Sequence, residues 1–289
     1  MCAKTGSLPA AARCLLVAVA CLTLTVSPAV AQQRPLPIEE PEGVGAGNVR
    51  LQAGVDYARD ARFTLSGLEG NLWRFALLKV DIGASRIADV ELSGGLRDHL
   101  SITSASPAPL SGALQLTDRT STGAFDDIVI GTKVRLLPEQ PGRPGLAVRV
   151  ATRLPNAKHP SGLGQDTTDF FATLIASQSV KETRFIENVG LGILGDPLQG
   201  HRHVNSFIFG ASATRTVGAG VEALAGVDGR TGPDEPGLEA RAIARAGVAR
   251  TQGAARLELD LTLGLTNRDG NVGFAVNASF KFHAFSPVN

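Results

Sequence analysis

The chain has 289 residues, with 28 Lys and Arg against 27 Asp and Glu, a balance that leaves no basic footprint for nucleic acid. Its length allows one large domain or two small ones. All three cysteines, Cys2, Cys14 and Cys21, lie near the N-terminus, so the rest of the chain can carry neither a disulfide nor a thiolate metal site.

The first segment reads as an export signal. Lys4 and Arg13 precede an apolar run from Cys14 to Val26, and Ser27-Pro28-Ala29-Val30-Ala31 gives a small-x-small ending before Gln32. The run is too short for a comfortable spanning helix. Residues 1–31 are therefore expected to be removed, leaving 26 basic against 27 acidic residues. A lipoprotein signal cleaved before Cys21 is the alternative, although the apolar run continues past that cysteine and Ala18 stands three residues before it. No later stretch has the apolar length of a membrane helix, so any crossing must be made with strands. Residues 32–48 hold three prolines and no periodicity, and are expected to form an irregular periplasmic lead-in.

A period of two then takes over, the signature of strands with unlike faces. Val49, Leu51, Ala53, Val55 and Tyr57 alternate with Arg50, Gln52, Gly54 and Asp56. Over 72–83 the pattern is uneven: Trp73, Phe75 and Leu77 share a parity with Lys79 and Asp81, which predicts a bulge or shift. Ala88, Val90 and Leu92 alternate with Asp89, Glu91 and Ser93. Further strands are expected near 128–136, 146–154, 168–179, 183–194, 207–214, 217–227 and 240–247. The clearest pattern is a terminal hairpin. Leu257, Leu259, Leu261, Leu263 and Leu265 interleave with Glu258, Asp260 and Thr262; the turn Asn267-Arg268-Asp269-Gly270 follows, and Val272, Phe274, Val276, Phe280 and Phe282 complete the apolar face.

This makes about 12 strands, and the links between them alternate in length. Those after odd strands (59–71, 98–124, 155–167, 195–203, 229–236, 267–270) are mostly long. Those after even strands (84–86, 138–144, 180–182, around 216, 250–253) are short. Long loops on one side, short turns on the other and an even strand number predict an all-β, transmembrane, antiparallel up-and-down barrel over 49–289, in contact with the lipid of a Gram-negative outer membrane. A secreted β-sandwich would also alternate. Mid-strand charges on one face favour the barrel. One Trp, one Tyr and 12 Phe make only a thin, Phe-built aromatic girdle, and the chain runs past Phe285 through Ser-Pro-Val-Asn.

In a barrel the polar parity lines the lumen. That set comprises Lys133, Arg135, Arg149, Arg153, Glu222, Asp228, Glu239, Arg241, Arg245, Glu258, Asp260 and Lys281, with Asp89 and Glu91 of the same parity. Charges of both signs must there pair or be hydrated, either as a polar conduit or as a network plugging a narrow barrel. Glu187 shares the parity of Val189 and Leu191 and is expected at the membrane boundary. His201 and His203, spaced i, i+2 on a loop near Asn205 and Ser206, lack the third ligand and spacing of a zinc site. Gly162-Leu163-Gly164 is followed by no Lys-Ser/Thr and no helix, so it is a turn rather than a phosphate loop. Neither metal, cofactor nor enzymatic activity is expected.

Asp127-Ile-Val-Ile-Gly-Thr-Lys133-Val-Arg-Leu-Leu137 resembles a strand of a bacterial outer-membrane family known from the MetA-pathway of phenol degradation. Arg153-Leu154-Pro155, then Gly162-Leu-Gly164-Gln-Asp166-Thr-Thr168-Asp169, then Asn188-Val-Gly190-Leu-Gly192 are similar to its glycine-rich run. The match covers 126–195 well and 196–283 only in strand rhythm; Asn156-Ala157 replaces the family's Thr-Gly, and Val189 its usual Leu. The resemblance implies a barrel taking up hydrophobic or aromatic compounds, and brings no catalytic residue. Gly162, Gly164, Asp166 and Asp169 form its loop motif: the glycines permit positive φ and the aspartates can accept backbone N–H groups. The expected function is a passive channel or uptake porin for a small-molecule solute, in an oligomeric state the sequence does not set. A closed scaffold whose loops, 98–124 above all, bind a partner is the alternative.

Overall fold

Along β12 (Ala255–Gly264) the apolar side chains face outward and the charges inward: Leu261 is 66% exposed, whereas Asp260 beside it is 3% exposed. A sandwich in water would reverse this, because burying a charge beside an exposed leucine loses on both counts. An outer face of Leu, Val, Ile and Phe suits hydrocarbon, with the polar atoms kept inside. The computed structural model describes residues 38–286; the export signal and its cysteines lie outside the described residues.

The other strands are β1 (Asn48–Phe63), β2 (Leu68–Gly83), β3 (Ala88–Ala105), β4 (Ser121–Ala124), β5 (Ile128–Leu137), β6 (Gly145–Leu154), β7 (Asp169–Val180), β8 (Thr183–Gly195), β9 (His203–Gly218), β10 (Val221–Arg230), β11 (Arg241–Gln252) and β13 (Val272–His283). Each pairs antiparallel with its neighbours, and β1 closes on β13 from Asn48↔His283 to Ala58↔Gly273. The result is a closed ring of 12 strands; β4 only caps the upper part of β3, from Asp98↔Ala124 to Ser101↔Ser121. Closure removes the unpaired edge that an open sheet would expose to lipid.

The uneven parity of β2 resolves at Ala76, whose φ of +50° marks an extra residue. Before it Trp73 and Phe75 face out; after it Leu78, Val80 and Ile82 do, and Lys79 and Asp81 turn inward. Tyr57, Trp73, Phe75 and Phe274 gather in one external patch, with neighbouring rings 4.8–5.7 Å apart. Elsewhere the outer aromatics are phenylalanines such as Phe280 and Phe282, stacked at 5.9 Å.

Two expected loops are shorter than their sequence suggests. Most of 59–71 belongs to β1 and β2, which meet in a tight turn over 64–67. Of 98–124, residues 98–105 extend β3 and 121–124 form β4. The remainder folds back: Leu114 and Leu116, with Leu163, pack on a small core of Ala61, Leu68, Leu72 and Leu100. Leu114 and Leu116 are thereby half-buried, while most of the loop's other side chains stay exposed. The opposite end carries the short turns 84–87, 138–144, 181–182, 219–220 and 253–254, together with the start of β1 and the end of β13.

Candidate functional site

The lumen divides into two halves. The half nearer the short turns is filled by residues 38–47. These are irregular, as the missing periodicity suggests, but they run inside the barrel rather than below it. Ile38, Glu39, Glu40 and Val44 are all buried. Glu39 is the pivot, because its carboxylate accepts Lys79 of β2 and lies 3.6 Å from Lys133 of β5 and 3.9 Å from Arg149 of β6. Those three cations also surround Glu91, with Arg149 at 2.6 Å and Lys133 at 3.4 Å. Lys133 and Arg149 stand directly opposite each other across strands. Such a like-charge pair is destabilising until carboxylates are inserted, and Glu91 and Glu39 supply them.

Backbone and apolar contacts fix the segment further. Asn188 accepts the Glu39 N–H at 2.7 Å and donates to the Glu39 carbonyl at 2.9 Å, mimicking a strand partner. Asp89 accepts the Val44 N–H at 3.0 Å. Ile38 rests where β9 and β10 carry glycine: a β-carbon on Gly210 or Gly226 would stand 3.1 Å from its side chain. Near the turns, Arg184 gathers Glu42, Glu139 at 3.2 Å and Glu40 at 4.0 Å. Hydrogen bonds from Ser177 and the Ser179 N–H, together with Arg184, hold the Glu139 carboxyl below its ordinary range despite the opposing effect of burial.

Above Glu39 the lumen opens into a cavity of about 610 Å³. One wall carries Asp56, Asp98, Asp126 and Asp127 around Arg74, which pairs with Asp56 at 3.1 Å. The rest of the lining carries Arg153, Arg230, Arg241, Arg245 and Arg268, interspersed with Leu163, Phe171, Ile208 and Ile243. Burial pushes the Asp126 carboxyl above its ordinary value, against the pull of Arg74. Four of the five wall arginines have a carboxylate: Arg153 with Asp169 at 2.6 Å, Arg245 with Asp228 at 3.0 Å, Arg241 with Asp269 at 2.6 Å, and Arg268 with Glu239.

This architecture is similar to that of the COG4313 outer membrane channel from Pseudomonas putida F1: TM-score 0.60, 12% identity, 89% of this chain and 100% of that one covered. A looser likeness, TM-score 0.43 at 11% identity, joins it to the translocator domain of autotransporter NalP from Neisseria meningitidis, covering 81% and 88%. No family model matches the chain, and no curated protein matches it by sequence. The fold is that of a Gram-negative outer-membrane barrel.

Within that barrel, Lys133, Glu258 and Asp260 are buried on the inner face. Glu222 and Glu258 bracket Arg256 at 2.5 and 3.0 Å, and the arginine is itself buried. Arg135 sits at the rim, donating to the Arg86 carbonyl at 2.9 Å. Lys281 lies across from Arg50, half-buried. Glu187 is exposed on the outer face, opposite Ala176 and Ala211.

The loop motif divides. Gly162 takes φ +78° at the end of a short turn, and its carbonyl accepts the Ser66 hydroxyl at 2.8 Å. Gly164 passes so close to Ala157 that a β-carbon would meet its carbonyl at 2.0 Å. Asp166 pairs with Lys158 at 2.7 Å. Asp169 is no loop residue: it opens β7, accepts the Gly195 N–H across the sheet at 3.0 Å, and anchors Arg153. The His201/His203 loop is organised by Arg202, which forks onto Glu235 at 2.5 and 2.9 Å and reaches Asp196 at 3.0 Å. Among the described residues no group of three or more His, Cys, Asp or Glu could hold a metal.

Several inward-facing side chains escaped the sequence reading. Lys79 and Asp81 lay in the strand whose parity the bulge obscured. Arg230 and Arg268 stood in segments read as loops. Glu39 sat in a stretch with no period at all. Only for the first pair was there a signal, since placing the bulge at Ala76 assigns both inward.

Proposed function

We propose that the chain is an outer-membrane channel through which small molecules diffuse passively, with residues 38–47 forming its inner constriction. Long loops facing outward and short turns facing the periplasm follow the orientation rule for such barrels. One observation carries the reading: the outer half of the lumen is a cavity of about 610 Å³ with charged walls, floored by Glu39. A closed scaffold needs no such space. Leu163, Phe171, Ile208 and Ile243 among the lining charges suit solutes with an apolar part, in keeping with the hydrophobic or aromatic compounds that the resemblance of 126–195 suggests.

The test is single-channel conductance in planar bilayers. The full chain is expected to give small openings, and a variant lacking residues 38–44 openings several-fold larger. If that variant folds, as heat-dependent gel mobility would show, yet stays silent, the channel reading fails and the closed scaffold stands.

A further inference from the structure

Arg230 breaks the pattern of its wall. Its guanidinium has no carboxylate within ion-pair distance among the described residues; it donates a 3.4 Å hydrogen bond to the Gly237 carbonyl. The charges that act on it from neighbouring elements are Arg241, Arg268 and Arg153, all of its own sign, with Asp169 the opposing one. Arg230 and Arg241 are direct cross-strand partners, an arrangement that repels. A barrel built only for stability would place a carboxylate or a neutral residue there, as it does beside Arg245 and Arg256. The neighbour on the other side is apolar, since Arg230 pairs across β9 with Ile208. Ile243 of β11 lines the same cavity, two residues along from Arg241, with Phe171 of β7 also on the lining.

We propose that Arg230, Arg241 and Arg268 form a binding site for the carboxylate of an amphipathic organic acid whose hydrocarbon part lies against Ile208, Ile243 and Phe171. The planar guanidinium fork matches a carboxylate in two parallel hydrogen bonds. Arg241 commits its Nε to Asp269, and Arg268 one terminal nitrogen to Glu239 and Thr64, so both keep further N–H donors for a ligand. An incoming carboxylate supplies the charge that the wall lacks. The proposal names the substrate class for the channel described above and rests on that reading only for the ligand's onward passage, not for its binding.

Benzoate is the probe, titrated by calorimetry into the full chain in detergent, with benzyl alcohol and inorganic phosphate as comparisons. Benzoate is expected to bind at least ten-fold more tightly than either. Arg230→Gln should weaken benzoate at least ten-fold while slightly raising the unfolding midpoint, because it removes an unmatched charge. Lys281→Gln, at the other end of the lumen, should leave benzoate binding unchanged. Equal binding of benzoate and benzyl alcohol, equal binding of benzoate and phosphate, or undiminished binding to Arg230→Gln overturns the site. So does a lowered midpoint for Arg230→Gln, which would make the arginine structural. Binding without conductance would sink the channel and keep the site; conductance without benzoate binding would do the reverse.

Discussion

The two halves of the lumen use the same residue types to opposite ends. Near the short turns, Lys79, Lys133 and Arg149 meet Glu39, Asp81 and Glu91, and the space between them is filled by chain. Near the long loops, arginines and aspartates line an open cavity, and Arg230 has no carboxylate within ion-pair distance among the described residues. Inward-facing charge therefore does not by itself distinguish a structural network from a binding wall. The distinction is whether the counter-charges close locally and whether water retains access.

The comparison is most directly broken at its pivot. Glu39→Gln leaves Lys79, Lys133 and Arg149 to share Asp81 and Glu91, and removing one member of a buried ion cluster costs about 3 kcal/mol. Urea unfolding should register that loss, and conductance should rise as the segment loosens; an unchanged midpoint with unchanged conductance would show that Glu39 does not hold the constriction. Asn188→Ala removes the two hydrogen bonds that bracket the Glu39 backbone, an expected loss of about 1–2 kcal/mol in the same measurement. In the upper half the sign reverses: Arg230→Gln should gain on the order of 0.5 kcal/mol by relieving an opposed like-charge pair.

The smallest effect lies at the rim above that half. The N–H groups of Leu198 and Gln199 and the Arg202 guanidinium hold Asp196 below its ordinary value, overcoming the burial that would raise it. A depressed carboxyl stabilises the loop above its unfolded value of about 3.9 and loses that contribution as pH falls through the folded one. The amide resonances of Leu198 and Gln199 should hence stay flat from neutral pH to about pH 4 and move only below it. A midpoint above about 4 would remove Asp196 as the organiser of this loop.

Much of the barrel was legible in the chain. The alternation in Leu257–Leu265 places leucines outward and Glu258 and Asp260 inward because a strand's side chains alternate whatever surrounds them. The conflict of Phe75 and Lys79 in one parity announced a bulge, and Ala76 supplies it. Loop lengths were less readable. Arg59 to Asn71 looks polar and irregular, yet it continues two strands, because pairing with a neighbour overrides a weak local pattern. The loop holding Leu114 and Leu116 likewise showed no sign of folding inward, since its target, Leu68, Leu72 and Leu100, is assembled from distant segments.

By itself the sequence determined which face of most strands meets lipid and which end carries the loops, for period and link length are local properties of the chain. Only the tertiary structure decided what fills the lumen. Glu39 meets Asn188 across 149 residues, and Arg230 meets Arg241 and Ile208 through register on both sides. Such juxtapositions exist only once the ring has closed, because closure and register choose which inward charges become neighbours. An aperiodic segment such as 38–47 finds its place by matching a cavity that no single strand encodes.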